Sequence, residues 1–286
     1  MESSILKVDG AELYYEVRGQ GPSLVMIAGA GGDAGYYARV AQVLSDAFTV
    51  ITYDRRANSR STGATDCDMQ LSQQADDAKA IIDRLAGGDA LVFGNSGGAI
   101  IGLELASRYP ESVRALIAHE PPAVKVLPDG DPCRHFFDRI GEIFKEAGLH
   151  AAMEKFLSTV RGDSVQAWPQ DLAQRVLGNF DYLFRREWAG FGQFVPNFEA
   201  LQSVRFAIVL AAGSEDRGLY YARPSIEIAK RIGATWAEFP GVHLEFITRP
   251  EIFAAALRPL LTYLHDRIDG GAAPWNSKAP VPLGDL

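Results

Sequence analysis

The sequence predicts an α/β protein, a mostly parallel, doubly wound sheet carrying a helical insertion. Three observations predict it. Short, apolar-rich runs of strand length recur at Ser23–Ile27, Phe48–Tyr53, Leu91–Phe93, Val113–Ala118 and Phe206–Ala212. Runs apolar on both faces mark strands buried inside a parallel sheet. Helical segments alternate with them. Between about Val124 and Ala200 the β runs cease, and helical stretches rich in Phe, Tyr and Trp replace them.

In chain order, Lys7–Val17 alternates around Asp9-Gly10 and reads as a hairpin. Gly19-Gln20-Gly21-Pro22 is a turn. Ser23–Ile27 runs into Ala28-Gly29-Ala30-Gly31-Gly32-Asp33. This glycine cluster lacks the Lys-Ser/Thr of a P-loop and the spacing of a dinucleotide fingerprint. Its better use is the Ala30 amide, placed at the strand's mouth to donate to an oxyanion. A glycine-rich turn without a catalytic part is the competing reading. Tyr36–Leu44 reads as a helix, Phe48–Tyr53 as a strand, and Asp54–Ser61 as a charged, solvated loop. Leu71–Leu85 has helical amphipathic spacing. Val113–Ala118 is a buried strand that ends in His119-Glu120-Pro121-Pro122. The insertion carries helical stretches at Cys133–Ala147, Ala151–Val160 and Asp171–Phe184, and part of its aromatic set is expected to line an apolar pocket. Phe206–Ala212 leads to Gly213-Ser214-Glu215-Asp216. Helix Ser225–Ile232, strand Thr235–Phe239, the Pro240-Gly241-Val242-His243 loop and helix Glu251–His265 complete the pattern. The expected organisation is a core of residues 1–123 and 201–269, a helical cap over 124–200, and a flexible tail over 270–286.

The totals exclude several classes. A formal net charge of −8 argues against nucleic acid or an anionic membrane as partner. No apolar run approaches the ~20 residues of a membrane span. The acidic, polar opening Met1-Glu2-Ser3-Ser4 does not read as a signal peptide. The 2 cysteines, Cys67 and Cys133, fit neither a disulfide framework nor a zinc site. A cytoplasmic monomer or homodimer needing no cofactor and no metal is the expectation.

The chemistry centres on Ala90–Ala99, where Leu91-Val92-Phe93 enters Gly94-Asn95-Ser96-Gly97-Gly98 and a long apolar-rich segment follows. Strand, sharp turn and helix in that order present the Ser96 hydroxyl above the sheet. The Gly97 amide, opening the helix, faces a developing oxyanion. An ordinary βα turn is the alternative. Ser96 needs a base. Of 5 histidines, His243 alone sits in a loop directly after a late strand. The base needs a carboxylate, and two strand-end positions compete, Asp216 and Glu120. Asp216 fits the usual Ser…Asp…His order.

Gly94-x-Ser96-x-Gly98, the Ala28–Gly32 turn, Tyr53-Asp54-Arg55 and Gly241-Val242-His243 together resemble the α/β-hydrolase superfamily. The resemblance covers about Lys7 to Arg267. Tyr109-Pro110-Glu111-Ser112-Val113-Arg114, followed by His119-Glu120-Pro121-Pro122, is similar to the zearalenone lactonase branch, and Asn179-Phe180 is similar to its lid. That resemblance implies an α/β-hydrolase fold with a helical cap. It implies Ser96 as nucleophile, His243 as base, Glu120 as acid, and the Ala30 and Gly97 amides as oxyanion donors. Glu215 and Asp216 stand where the superfamily's acid usually does, so Asp216 remains the alternative. The activity implied is hydrolysis of an ester or lactone of a hydrophobic, polyketide-like small molecule. Alternatives on the same residues are a C–C hydrolase, a cofactor-free cyclase or perhydrolase, and a non-catalytic ligand-binding protein. Serine rather than aspartate at position 96 argues against dehalogenase or epoxide hydrolase chemistry.

Overall fold

The computed structural model describes residues 1–160 and 168–269. The expected tail, 270–286, lies outside the described residues. Strands β1 (Glu2–Val8), β2 (Ala11–Arg18), β3 (Ser23–Ile27), β4 (Thr49–Tyr53), β5 (Ala90–Asn95), β6 (Val113–His119), β7 (Ala207–Gly213) and β8 (Thr235–Phe239) form one sheet. Its order is β1-β2-β4-β3-β5-β6-β7-β8. β1 and β2 form the antiparallel hairpin turning at Asp9-Gly10, and β2 meets β4 antiparallel. The strands from β4 to β8 are parallel. β5 and β7 are buried along their whole length, which accounts for the apolar runs Ala90–Phe93 and Ala207–Ala212.

Helices α1 (Ala38–Leu44), α2 (Leu71–Leu85), α3 (Gly97–Arg108), α9 (Arg223–Ile232) and α11 (Pro250–Asp269) flank the sheet, and the short α10 (Glu245–Thr248) packs on α1 and α11. Successive residues of β5 show why both faces are covered. A Cβ built at Gly102 of α3 lies 4.0 Å from Val92, whereas the neighbouring Phe93 ring stands 5.8 Å from Phe253 of α11. Alternate side chains of one strand therefore reach opposite layers. α2 packs on α3, and α1 on α11.

Between β6 and β7 the described elements are helical, joined by loops. α4 (Phe136–Leu157) bends at Gly148, where φ is 83°, so the two stretches expected at Cys133–Ala147 and Ala151–Val160 join through a kink. The stretch expected at Asp171–Phe184 is divided: α5 (Gln170–Gly178), α6 (Phe180–Tyr182), a π turn (Leu183–Glu187) and α7 (Trp188–Gly192). α8 (Phe198–Ser203) leads back to the sheet.

The Asp54–Ser61 run corrects an expectation. It is not a solvated loop: Asp54, Arg55 and Asn58 are fully buried. Ion pairs make that burial tolerable, with Arg56 forked onto Asp77 at 2.6 and 2.9 Å and Arg60 onto Asp54 at 2.6 and 2.8 Å.

The strand order reverses direction at β3, which lies between β4 and β5. The crevice beyond the carboxyl ends of β3 and β5 is thus the switch point where open α/β sheets carry their sites.

Candidate active site

Ser96 caps β5 and precedes α3, with φ 56° and ψ −125°. That left-handed backbone is strained for a residue with a Cβ, and such strain persists only where surrounding structure holds it. Here the hold is steric and polar. A Cβ at Gly98 would lie 1.9 Å from the Ile27 carbonyl oxygen, and one at Gly94 would lie 2.3 Å from Gly98 O. Strand and helix approach that closely because both positions lack side chains. The Ser96 amide donates to His119 O at 2.9 Å. Ser96 keeps partial exposure while its neighbours are buried.

Glu120, directly after β6, also has positive φ, 54°. This turn aims its carboxylate across β7. Oε1 accepts from the Gly213 amide at 2.8 Å, and Oε2 meets His243 Nδ1 at 2.5 Å. Asp216 makes different contacts in the same neighbourhood. It accepts from the Tyr221 hydroxyl at 3.1 Å and from the His243 main-chain N–H. The Tyr221 ring rests on the His243 imidazole with centroids 4.1 Å apart. Of the two carboxylates that compete in the sequence, Glu120 contacts the imidazole nitrogen and Asp216 supports the loop and the ring packed on it.

Ser96 and His243 line one cavity of about 450 Å³, open solvent at its mouth included, with Ala30, Tyr36, Trp168 and Phe180. A second hollow, of about 290 Å³, shares Ser96 and Ala30 and is walled by Gly97, Phe137, Trp188 and Phe191. Gly29 brings Ala30 beside the serine: a Cβ there would stand 2.9 Å from Ser96 Cβ and 3.2 Å from Gly97 N. The Gly29-Ala30 turn after β3 and the Gly97 amide after β5 thus both lie beside Ser96.

Residues 22–210 match the family model described as alpha/beta hydrolase fold. The chain belongs to the α/β-hydrolase family. An uncharacterised hydrolase of Bacillus subtilis (strain 168) is 33% identical over 266 residues, 91% of this chain and 96% of the relative. A zearalenone hydrolase of Cladophialophora bantiana is 27% identical over 272 residues, 89% of this chain and 94% of the relative. The solved structure of a thermophilic esterase from Thermogutta terrifontis superposes with a TM-score of 0.74 at 18% identity, covering 93% of this chain and all of that one. This protein is a hydrolase of the α/β-hydrolase type.

Charge in the hydrolase's site follows from burial. Desolvation pushes the His243 pKa down to about 4, against the opposing charge of Asp216. The imidazole is therefore neutral at pH 7, with Nδ1–H given to Glu120. Burial raises the Glu120 carboxyl, and neighbouring His119 and the Gly213 N–H oppose that rise. His119 is itself buried, pushed down to about 4 chiefly by desolvation. Its Nδ1 faces the Asn95 amide nitrogen at 2.9 Å, and that amide also reaches His243 O at 3.3 Å.

Tyr221 and Glu187 are members of this neighbourhood that no motif marks, and Asn95 and Arg55 stand inside motifs that assign them no role. For Arg55 a signal existed: charge directly after a buried strand, in the Tyr53-Asp54-Arg55 segment. Among the described residues no group of three or more His, Cys, Asp or Glu could hold a metal ion. No described helix is long and apolar enough to cross a membrane.

Proposed function

We propose that this hydrolase cleaves a carboxylic ester or lactone of an apolar small molecule through an acyl-enzyme on Ser96. The observation that carries the proposal is the 2.5 Å contact between His243 Nδ1 and Glu120 Oε2, beside a cavity that Ser96 and His243 both line.

His243 Nε2 takes the Ser96 hydroxyl proton as Oγ attacks the carbonyl carbon. The carbonyl π pair moves onto oxygen, and the Ala30 and Gly97 amides stabilise it there. Collapse breaks the C–O bond to the alcohol, which leaves with the proton from His243. Water then attacks the acyl-enzyme by the same route, releasing a carboxylate and restoring Ser96. Glu120 holds the imidazole in the tautomer with Nδ1–H and stabilises the imidazolium that forms.

The substrate class rests on the walls. Tyr36, Trp168, Phe180, Phe137, Trp188 and Phe191 offer ring faces and few polar partners, which suits an apolar, ring-bearing ester better than a sugar or peptide. The zearalenone hydrolase relative supports a lactone of that kind. The helices of 124–200 act as the cap that supplies most of these rings.

The test is hydrolysis of p-nitrophenyl acetate and of zearalenone by wild type and Ser96→Ala. Turnover by the wild type, lost in Ser96→Ala, supports the reading. A wild type inert to both esters and to a fluorophosphonate probe would exclude it and favour a cyclase or a binding protein.

A further inference from the structure

Arg55, at the end of β4, is fully buried and placed against the loop that carries Ala30. Its Nη2 and Nε donate to the Gly29 carbonyl oxygen at 3.0 and 3.3 Å. The Gly32 amide donates to the same oxygen at 3.1 Å, and the Arg55 amide donates to Gly32 O at 2.7 Å. The Gly29 carbonyl and the Ala30 N–H belong to one planar trans peptide, so they point in opposite directions. Whatever fixes the carbonyl fixes the N–H. A cation on the oxygen also draws electron density from the nitrogen and makes the N–H a stronger donor.

The guanidinium is held in turn by the helices over the cavity. Glu187, in the π turn, accepts from Nη1 at 2.6 Å and Nη2 at 2.9 Å, and neither side chain has any solvent exposure. Gln74 of α2 accepts a further bond from Nη1 at 3.2 Å. The Phe191 ring stands with its centroid 5.5 Å from Arg55 Cζ, and its edge lies 2.9 Å from where a Gly97 Cβ would be. One ring therefore touches both the guanidinium and the residue whose amide is the second donor.

We infer that Arg55 is a positioning residue for the oxyanion: with Glu187 it locks the Gly29–Ala30 peptide so that the Ala30 N–H faces the carbonyl under attack by Ser96. The role rests on the proposed use of Ala30 and Ser96. It makes oxyanion stabilisation depend on a side chain from the π turn, far along the chain from Ser96.

The experiment compares wild type with Arg55→Met, Arg55→Lys and the double variant Arg55→Met/Glu187→Met. The double variant leaves no unpaired buried charge, so it remains informative if Arg55→Met does not fold. Three quantities are read: kcat and KM for p-nitrophenyl butyrate, Ki for an aliphatic trifluoromethyl ketone that adds to serine as a tetrahedral oxyanion, and Ki for the alcohol of the same skeleton, which cannot add. Removing an oxyanion donor outright costs on the order of 10²–10³ in kcat, and misaiming one costs less. The double variant is expected to lose about 10–100-fold in kcat, with KM within about threefold. The ketone should weaken by the same factor while the alcohol is unmoved, and Arg55→Lys should recover part of the loss. Values of kcat and ketone Ki within twofold of wild type overturn the positioning role and leave the hydrolase reading intact. Equal losses in alcohol binding and turnover overturn it too, because they mark a general distortion of the cavity. A wild type that neither turns over nor binds the ketone more tightly than the alcohol removes the Ser96 mechanism, and the role of Arg55 with it.

Discussion

Two carboxylates stand near His243, and they separate by what each touches. Glu120 meets Nδ1, while Asp216 holds Tyr221 and the main chain of the histidine loop. Glu120→Gln leaves the shape intact and removes the charge that, in the proposed mechanism, orients and stabilises the imidazolium. Its kcat on p-nitrophenyl acetate should fall by on the order of 10³–10⁴. Asp216→Asn keeps an acceptor for Tyr221, so its loss should stay within about tenfold, reached through ring placement. The reverse ranking would move the acid to Asp216. Burial also sets the pH profile. The His243 pKa is lowered to about 4, and only the neutral form accepts the serine proton. Thus kcat/KM should climb as pH rises through the region of 4 and be level by about pH 6. An acid limb centred at the ordinary histidine value, about 6.5, would show that burial does not depress the base in solution.

At the level of elements, sheet and elbow are legible in the sequence because their constraints are local. An unbroken apolar run is a buried strand, as in β5 and β7, and Gly94 and Gly98 bracket the turn because main chain passes where their side chains would be. Gly98→Ala tests that reading. Its methyl would have to displace the Ile27 carbonyl, which is rigid strand backbone rather than a flexible side chain. It should give little soluble protein, whereas Gly130→Ala, in open space, should purify like wild type, as yields from matched cultures would show. The Asp54–Ser61 run misleads for the opposite reason. Its charges are neutralised by partners far away in sequence, Glu187 and Asp77, and composition alone reads such a run as solvated. The competition between Glu120 and Asp216 has the same origin. Both follow parallel strands, and what separates them, the positive φ at Glu120 and the Gly213 amide that holds its Oε1, is invisible in the sequence.

For the whole molecule, the question is whether the helices over the cavity behave as a separable cover. Their ties to the sheet's loops are polar, and the Arg55–Glu187 pair among them is fully buried. Arg175 bonds Asp33 at 2.7 Å, and Glu187 pairs with Arg55 at 2.6 Å. Asn179 donates to Gly31 O at 2.7 Å and Ser59 Oγ at 2.8 Å and accepts from the Ser59 amide at 3.0 Å. Detaching the cover would break these bonds together and expose the apolar rings packed beneath it. The cover should therefore unfold together with the sheet, in one transition. Far-UV circular dichroism and tryptophan fluorescence, to which Trp168 and Trp188 in the cover contribute, should give coincident thermal curves. Asn179→Ala removes three of the ties and leaves the Gly31 carbonyl short of a donor, a loss of about 2–3 kcal/mol that lowers Tm by several degrees. Because Gly31 adjoins Ala30, that variant should also lose kcat before it loses fold, at temperatures well below its Tm. Separate transitions in the wild type would show a cover that folds on its own. An Asn179→Ala protein with unchanged Tm would show that the two ion pairs alone fasten it.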